Sequence, residues 1–428
     1  MGILYNPRLL ITNINRYQHE LNFTCMSPSC SMNNFCLCIR TPFSVSFYHY
    51  CFLLMIWGVK AAMRKPLRTL WIVSLLAFYL LPSAVAETKQ IGFAISFPNL
   101  TFTQPLTREE QTYLGIPKKA KFSFREIKGD LILVELLSTY CVNCQRQAPI
   151  FTELYSSIEK DPKLKGKVKM IGIAAGNTPK EVETFRKEYH IPYPIFSDPK
   201  FDAHMALGGP RTPFTIWVRK DAQGKGVVVS THLGLTESAE NVLAETKAVL
   251  QYNLALLKPK KGAIYEGDAL KPPLTEEEIL KRARKGMEAS GGKVLHIEKI
   301  ALKDGDPVYA GKIDLVGRQE NLFSKLASRR AVCDICHDTF FIYTFDSTGK
   351  VIDIVPVQLT KIDNLHWTDE DIKRLKSRTV GKSILKPFSF DAKVDSVSGA
   401  TITAALVFDS LDKAKEIFEK LKKEGYVR

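Results

Sequence analysis

Two Cys-x-x-Cys pairs carry the clearest chemistry in this 428-residue sequence: Cys141-Val142-Asn143-Cys144, and Cys333-Asp334-Ile335-Cys336 with His337 directly after it. Two thiols at this spacing can close and open a disulfide. One attacks a partner disulfide as thiolate, and the other displaces the resulting mixed disulfide. The second pair also fits Cys-x-x-Cys-His, in which both thiols bond a porphyrin and the histidine ligates iron as haem c. A metal site or an inert disulfide stays open for either pair. Five further cysteines fall in residues 1–62, which show scattered aromatics and no periodicity and are read as a doubtful N-terminal extension ahead of a start at Met63.

The first pair sits where local elements would activate it. An apolar run over residues 131–137 ends just before Cys141, and residues 148–159 have helical spacing through Ile150, Leu154 and Ile158. Strand, cysteines, helix puts Cys141 at a helix N-terminus, where free N–H groups and the positive dipole end favour a thiolate. Cys144 lies one turn on, in reach of the mixed disulfide. A second apolar strand over 168–175, a helix over 179–189, short strands at 195–196, 215–219 and 227–233, and a helix over 238–256 complete an α/β unit with a mixed sheet. Residues 91–97 and 122–124 read as lead-in strands.

Over residues 115–256 the sequence resembles the thioredoxin superfamily, in particular its exported disulfide-reductase (TlpA/ResA-like) branch that acts in cytochrome maturation. The resemblance rests on residues 131–135 as the buried strand before the motif, on Pro149 in the active-site helix, and on Thr212-Pro213 before a strand. It implies that Glu135 is a buried acid taking the proton of the inner cysteine, and that Pro213 is a cis-proline flanking the disulfide and receiving extended substrates. Tyr140 stands where the family usually has Trp before the nucleophile, and the stretch from Cys144 to Pro213 is longer than in plain thioredoxin. Peroxidase relatives share the fold, but Ser138 stands where a peroxidatic site usually has Thr, and the usual Pro is missing.

Residues 258–274 have a Pro, Gly and Lys-rich linker composition. Thr275 and Glu278 then form a capping box that opens the second half. Strands are expected at 294–300, 340–345 and 351–357, followed by one terminal amphipathic helix with Val407, Leu411, Ala414, Phe418 and Leu421 on a face. Just before that helix, Asp395-Ser396-Val397-Ser398-Gly399-Ala400-Thr401 resembles the flavinylation motif of FMN-binding domains. That resemblance implies FMN carried on Thr401 through a phosphoester, with Gly399 allowing close approach and the helix N-terminus facing the phosphate. The plainer alternative is that Ser398 or Thr401 caps the helix. The fold class expected is therefore an α/β thioredoxin-like domain over 87–257, with mixed sheet and flanking helices, joined to a smaller α+β domain over 275–428.

Residues 63–86 have the parts of a secretory signal: basic Arg64, Lys65 and Arg68, an apolar core, and Ala84-Val85-Ala86 as a cleavage site; an uncleaved membrane anchor is the alternative. Membrane contact is expected only through this segment. The formal charge is +15, but residues 1–86 hold seven Lys or Arg and one acidic residue, so the rest is mildly basic. Its lysines are dispersed and not interleaved with aromatics, which argues against nucleic acid as a partner. The expected function is that of an exported thiol-disulfide oxidoreductase coupled to a flavin domain, acting on protein disulfides and exchanging electrons with an upstream partner. The alternatives are a flavin or haem electron carrier whose thioredoxin-like half only docks partners, and a metal-binding chaperone.

Overall fold

The computed structural model describes residues 91–119, 121–257, 270–303 and 307–427. Residues 1–62, the signal-like segment over 63–86 and residues 258–269 of the linker lie outside them. The first half runs β1 (Thr101–Phe102), α1 (Arg108–Leu114), β2 (Phe122–Ser123), β3 (Leu131–Leu137), α2 (Val142–Lys160), β4 (Val168–Ala175), α3 (Pro179–Glu188), β5 (Ile195–Asp198), α4 (Asp202–Ala206), β6 (Phe214–Lys220), β7 (Gly226–Leu233) and α5 (Ala239–Leu250).

Five of these strands form one sheet in the order β5-β4-β3-β6-β7. β3, β4 and β5 are parallel, whereas β6 and β7 join antiparallel as a hairpin. β3 and β4 are buried at every residue, as parallel strands must be when helices cover both sheet faces. α2 packs beside α5. Thr178 and Glu181 close a capping box on α3, which fixes where that helix starts.

The second half continues with α6 (Glu276–Glu288), β8 (Lys293–Ile300), β9 (Val308–Leu315), β10 (Arg318–Arg329), β11 (Thr339–Asp346), β12 (Val351–Gln358), α7 (Asp369–Thr379), α8 (Ala392–Asp395), α9 (Thr401–Asp412) and α10 (Ala414–Lys423). Its strands make an antiparallel meander in sequence order. One face is covered by α6 through Ile279, Ala283 and Met287. The other packs Phe323, Phe341 and Phe345 against Phe408, Leu411 and Phe418 of the terminal helices.

Val332, Cys333, Ile402, Ala405 and Leu406 belong to the same buried cluster as β3 and β4, so the two halves share a core. Three expectations need correction. Residues 91–97 form only bridge contacts at Ile95 and Ser96, the latter to Val227, rather than a strand. The meander contains β9 and β10, whose charged solvent-facing residues hide them. The terminal helix is two helices that break at Lys413, although Val407, Leu411, Ala414, Phe418 and Leu421 are all buried as expected. No helix among the described residues is long and apolar enough to cross a membrane.

Candidate active site

β3 ends at Leu137, and the turn that follows is pinned by Asn177, whose Oδ1 accepts from Thr139 N at 2.9 Å and from Ser138 Oγ at 3.3 Å. This turn delivers Cys141 as the N-cap of α2, with its sulfur accepting from Cys144 N at 3.4 Å. An N-cap normally uses a side-chain oxygen for this, and a thiolate serves the same purpose. Hydrogen bonds from the thiols of Cys144 and Cys333 hold the Cys141 thiol far below its ordinary range, against the opposing effect of burial. Burial pushes Cys144 the other way and keeps it protonated. Tyr140 donates to Glu181 Oε1 at 2.5 Å and sets its ring edge-on to Phe390 from the second half.

Glu135 lies in β3, 3% exposed, opposite Thr215 of β6. It accepts from Tyr193 OH at 2.6 Å and from Gln147 Nε2 at 3.1 Å. Burial raises its carboxyl to about 7 despite those two donors. The charge on Cys141 adds to the rise. Among the described residues Glu135 has no direct hydrogen bond to Cys144, whose proton the resemblance has it accept. The Thr212–Pro213 bond is cis, and Thr212 O lies 3.6 Å from Cys141 Sγ.

The second cysteine pair, far away in sequence, is at the same place. Cys333 Sγ, Cys141 Sγ and an Asp334 oxygen lie within 4.8 Å of one another. Thr212 N donates to Val332 O at 2.5 Å, and Asp334 N donates to Thr212 O at 3.0 Å. Arg211 and the Asp334 carboxylate carry no chemical motif of their own in the sequence. Arg211 directly precedes the Thr-Pro pair, which is the one local cue it offers. His337 is exposed.

The flavinylation-like motif comes to the same region. Asp395 is buried and ion-paired to Arg378 at 2.6 Å. Gly399 has φ of +70°, and its carbonyl accepts from Ile362 N at 2.7 Å. Ala400 is the N-cap of α9, and no side chain caps that first turn, so Ser398 and Thr401 do not play the plain capping part. A cavity of about 270 Å³ is lined by Tyr140, Cys333, Cys336, Gly399 and Thr401, among others.

Residues 106–234 match the AhpC/TSA family. The first half is a thioredoxin-like fold. This domain is 27% identical over 104 residues to a thiol-disulfide oxidoreductase ResA of Bacillus thuringiensis, a match covering 24% of this chain and 57% of that protein. A ResA of Halalkalibacterium halodurans is 24% identical over 136 residues, covering 32% of this chain and 67% of the relative. Of solved structures, StoA from Bacillus subtilis is 19% identical with a TM-score of 0.27, covering 35% of this chain and 98% of its own.

Proposed function

We propose that this protein is an exported thiol-disulfide oxidoreductase in which Cys141 attacks a disulfide, Cys144 resolves the intermediate, and the second half serves as electron partner. The observation that carries this reading is Cys141 itself: a helix N-cap cysteine, its sulfur fed by the Cys144 N–H and set beside Thr212 and the cis Pro213. A thiolate held there is a ready nucleophile and a good leaving group, and a buried, protonated Cys144 waits until the mixed disulfide forms. Glu135, poised near neutral pH, gains or loses a proton and thereby changes the charge that Cys141 meets. Export rests on the signal-like pattern of residues 63–86. Relatives named thiol-disulfide oxidoreductase support the activity.

For FMN, the residues present fit. Thr401, half-buried at the uncapped start of α9, would carry it; Gly399 leaves the approach open; the cavity joins this point to Cys336. The flavin would supply acceptance or donation of the two electrons that a dithiol exchanges. Haem c fits poorly, because Cys333 is 2% exposed with its sulfur turned to Cys141, and thioether bonds to a porphyrin require both sulfurs on the ring edge.

The test of the thiol chemistry is Cys144→Ser, which is expected to accumulate mixed disulfides at Cys141 in cells; none at all would sink the reading. For the flavin, fluorescence that stays with denatured protein is expected, and its loss in Thr401→Ala.

A further inference from the structure

A thiol that attacks other proteins should be within their reach, yet Cys141 and Cys144 are each 1% exposed. Chain from the second half covers Cys141. Residues 332–334 run along Thr212 as a parallel bridge that pairs Thr212 with Cys333. Arg211 Nη1 donates to the carbonyls of Asp334 at 3.2 Å and Cys336 at 3.1 Å, and Asn143 Nδ2 donates to Asp334 Oδ2 at 2.9 Å. Main-chain pairing of this kind is how a groove takes an extended peptide. The residue held opposite Thr212 is a cysteine with a second cysteine one turn on. Of the four described cysteines, only Cys336 is half-buried rather than fully covered.

From this geometry we propose that Cys333–Cys336 is the internal redox partner of Cys141–Cys144, docked in the substrate groove of its own chain, and that Cys336 is the sulfur through which electrons enter or leave. The inference rests on the reading of Cys141 as a thiol nucleophile.

The exchange balances without an outside reagent. With the second pair oxidised, the Cys141 thiolate attacks Cys333 Sγ; the Cys333–Cys336 bond breaks and Cys336 departs as thiolate. The Cys144 thiol then attacks Cys141 Sγ, a Cys141–Cys144 disulfide forms, and Cys333 leaves carrying the proton that Cys144 gives up. Two electrons have moved from the first pair to the second, and the reverse sequence returns them. Once Cys333 has been released with its proton, a hydrogen bond from its thiol favours the thiolate of Cys336, which suits Cys336 to pass the electrons on.

The experiment uses the full chain carrying Cys144→Ser and Cys336→Ser, exposed to oxidised glutathione and digested with trypsin without reduction. Cys141 falls in residues 129–146 and Cys333 in residues 331–350, so the cross-link joins two distinct peptides. The two peptides linked are expected to exceed the glutathione adduct of Cys141 by at least about tenfold, since the docked thiol is present at high effective concentration. Glutathione on both cysteines without the cross-link overturns the proposal. So does one zinc ion per chain held by unreactive thiols, which would make the cluster a metal site. Wild-type protein treated alike separates this from the parent reading: an internal disulfide within 129–146 supports the Cys141–Cys144 couple, and its presence without the cross-link rejects the relay alone. If that disulfide never forms, both fall. As a second measurement, Cys336→Ser alone is expected to slow reduction of a protein disulfide by at least about tenfold; an unchanged rate overturns the role of Cys336 as port.

Discussion

Thr212 and Cys333, from opposite halves of the chain, pair backbone to backbone, with Thr212 N on Val332 O and Asp334 N on Thr212 O. The groove beside Cys141 is therefore filled by the protein's own peptide. Asn143, inside the first cysteine motif, helps to hold it there through the Asp334 carboxylate.

Asn143→Asp replaces that donor with a second carboxylate facing Asp334. Loss of a hydrogen bond to a charged group costs about 1.5–3 kcal/mol. The loop should release more often, and a bulky maleimide should label Cys141 roughly tenfold faster. A labelling time course equal to wild type would show that the loop is held by its other contacts.

Cys333→Ala removes one of the two thiol donors on Cys141. A thiolate that loses a donor is harder to form, so the midpoint of Cys141 ionisation should rise by at least about one pH unit. Thiolate absorbance followed through a pH titration measures this. Cys333→Ser, which keeps a hydroxyl donor, should shift it less.

Glu135 ionises in the unfolded chain from about 4.5 but in the folded protein only near 7, because burial penalises its charge. As pH rises from 4.5 to 7 the unfolded state is progressively favoured, and the loss persists above 7. Glu135→Gln removes it. From pH 4 to pH 8, the stability of this variant relative to wild type should therefore climb by about 3 kcal/mol. Denaturant melts at the two pH values test this, and a flat difference would mean that the carboxylate is ionised at no cost.

Leu406 on α9 is 2% exposed and packs into the core of the first half. Leu406→Ala should cost about 2–5 kcal/mol. Since that core spans both halves, thermal unfolding of wild type should be one transition. Two separate transitions by calorimetry would contradict a shared core.

How far the sequence discloses this arrangement depends on range. β3 and β4 lie over residues 131–137 and 168–175, as the continuous apolar runs indicate, because a strand buried on both faces leaves no other pattern. Cys141 and Cys144 are readable because strand and helix signals are local, whereas Pro213 stands out only through the family resemblance. β9 and β10 were not, since they mix Lys312, Asp314, Arg318 and Glu320 with their apolar residues, and such a pattern also describes a solvated loop. The break at Lys413 is equally silent: the apolar spacing runs on through it. The approach of Cys333 to Cys141 depends on Arg211 and Thr212 meeting residues 332–336, and no spacing within either segment encodes that.

Arg211 and Thr212 grip the docked loop mostly by its peptide groups, and Ile335 between the two cysteines is exposed. Docking is thus largely indifferent to what stands at position 335. The side chain there is free to vary and to set how strongly the second pair holds its electrons, so the driving force of transfer can be tuned while the connection between the two centres stays intact.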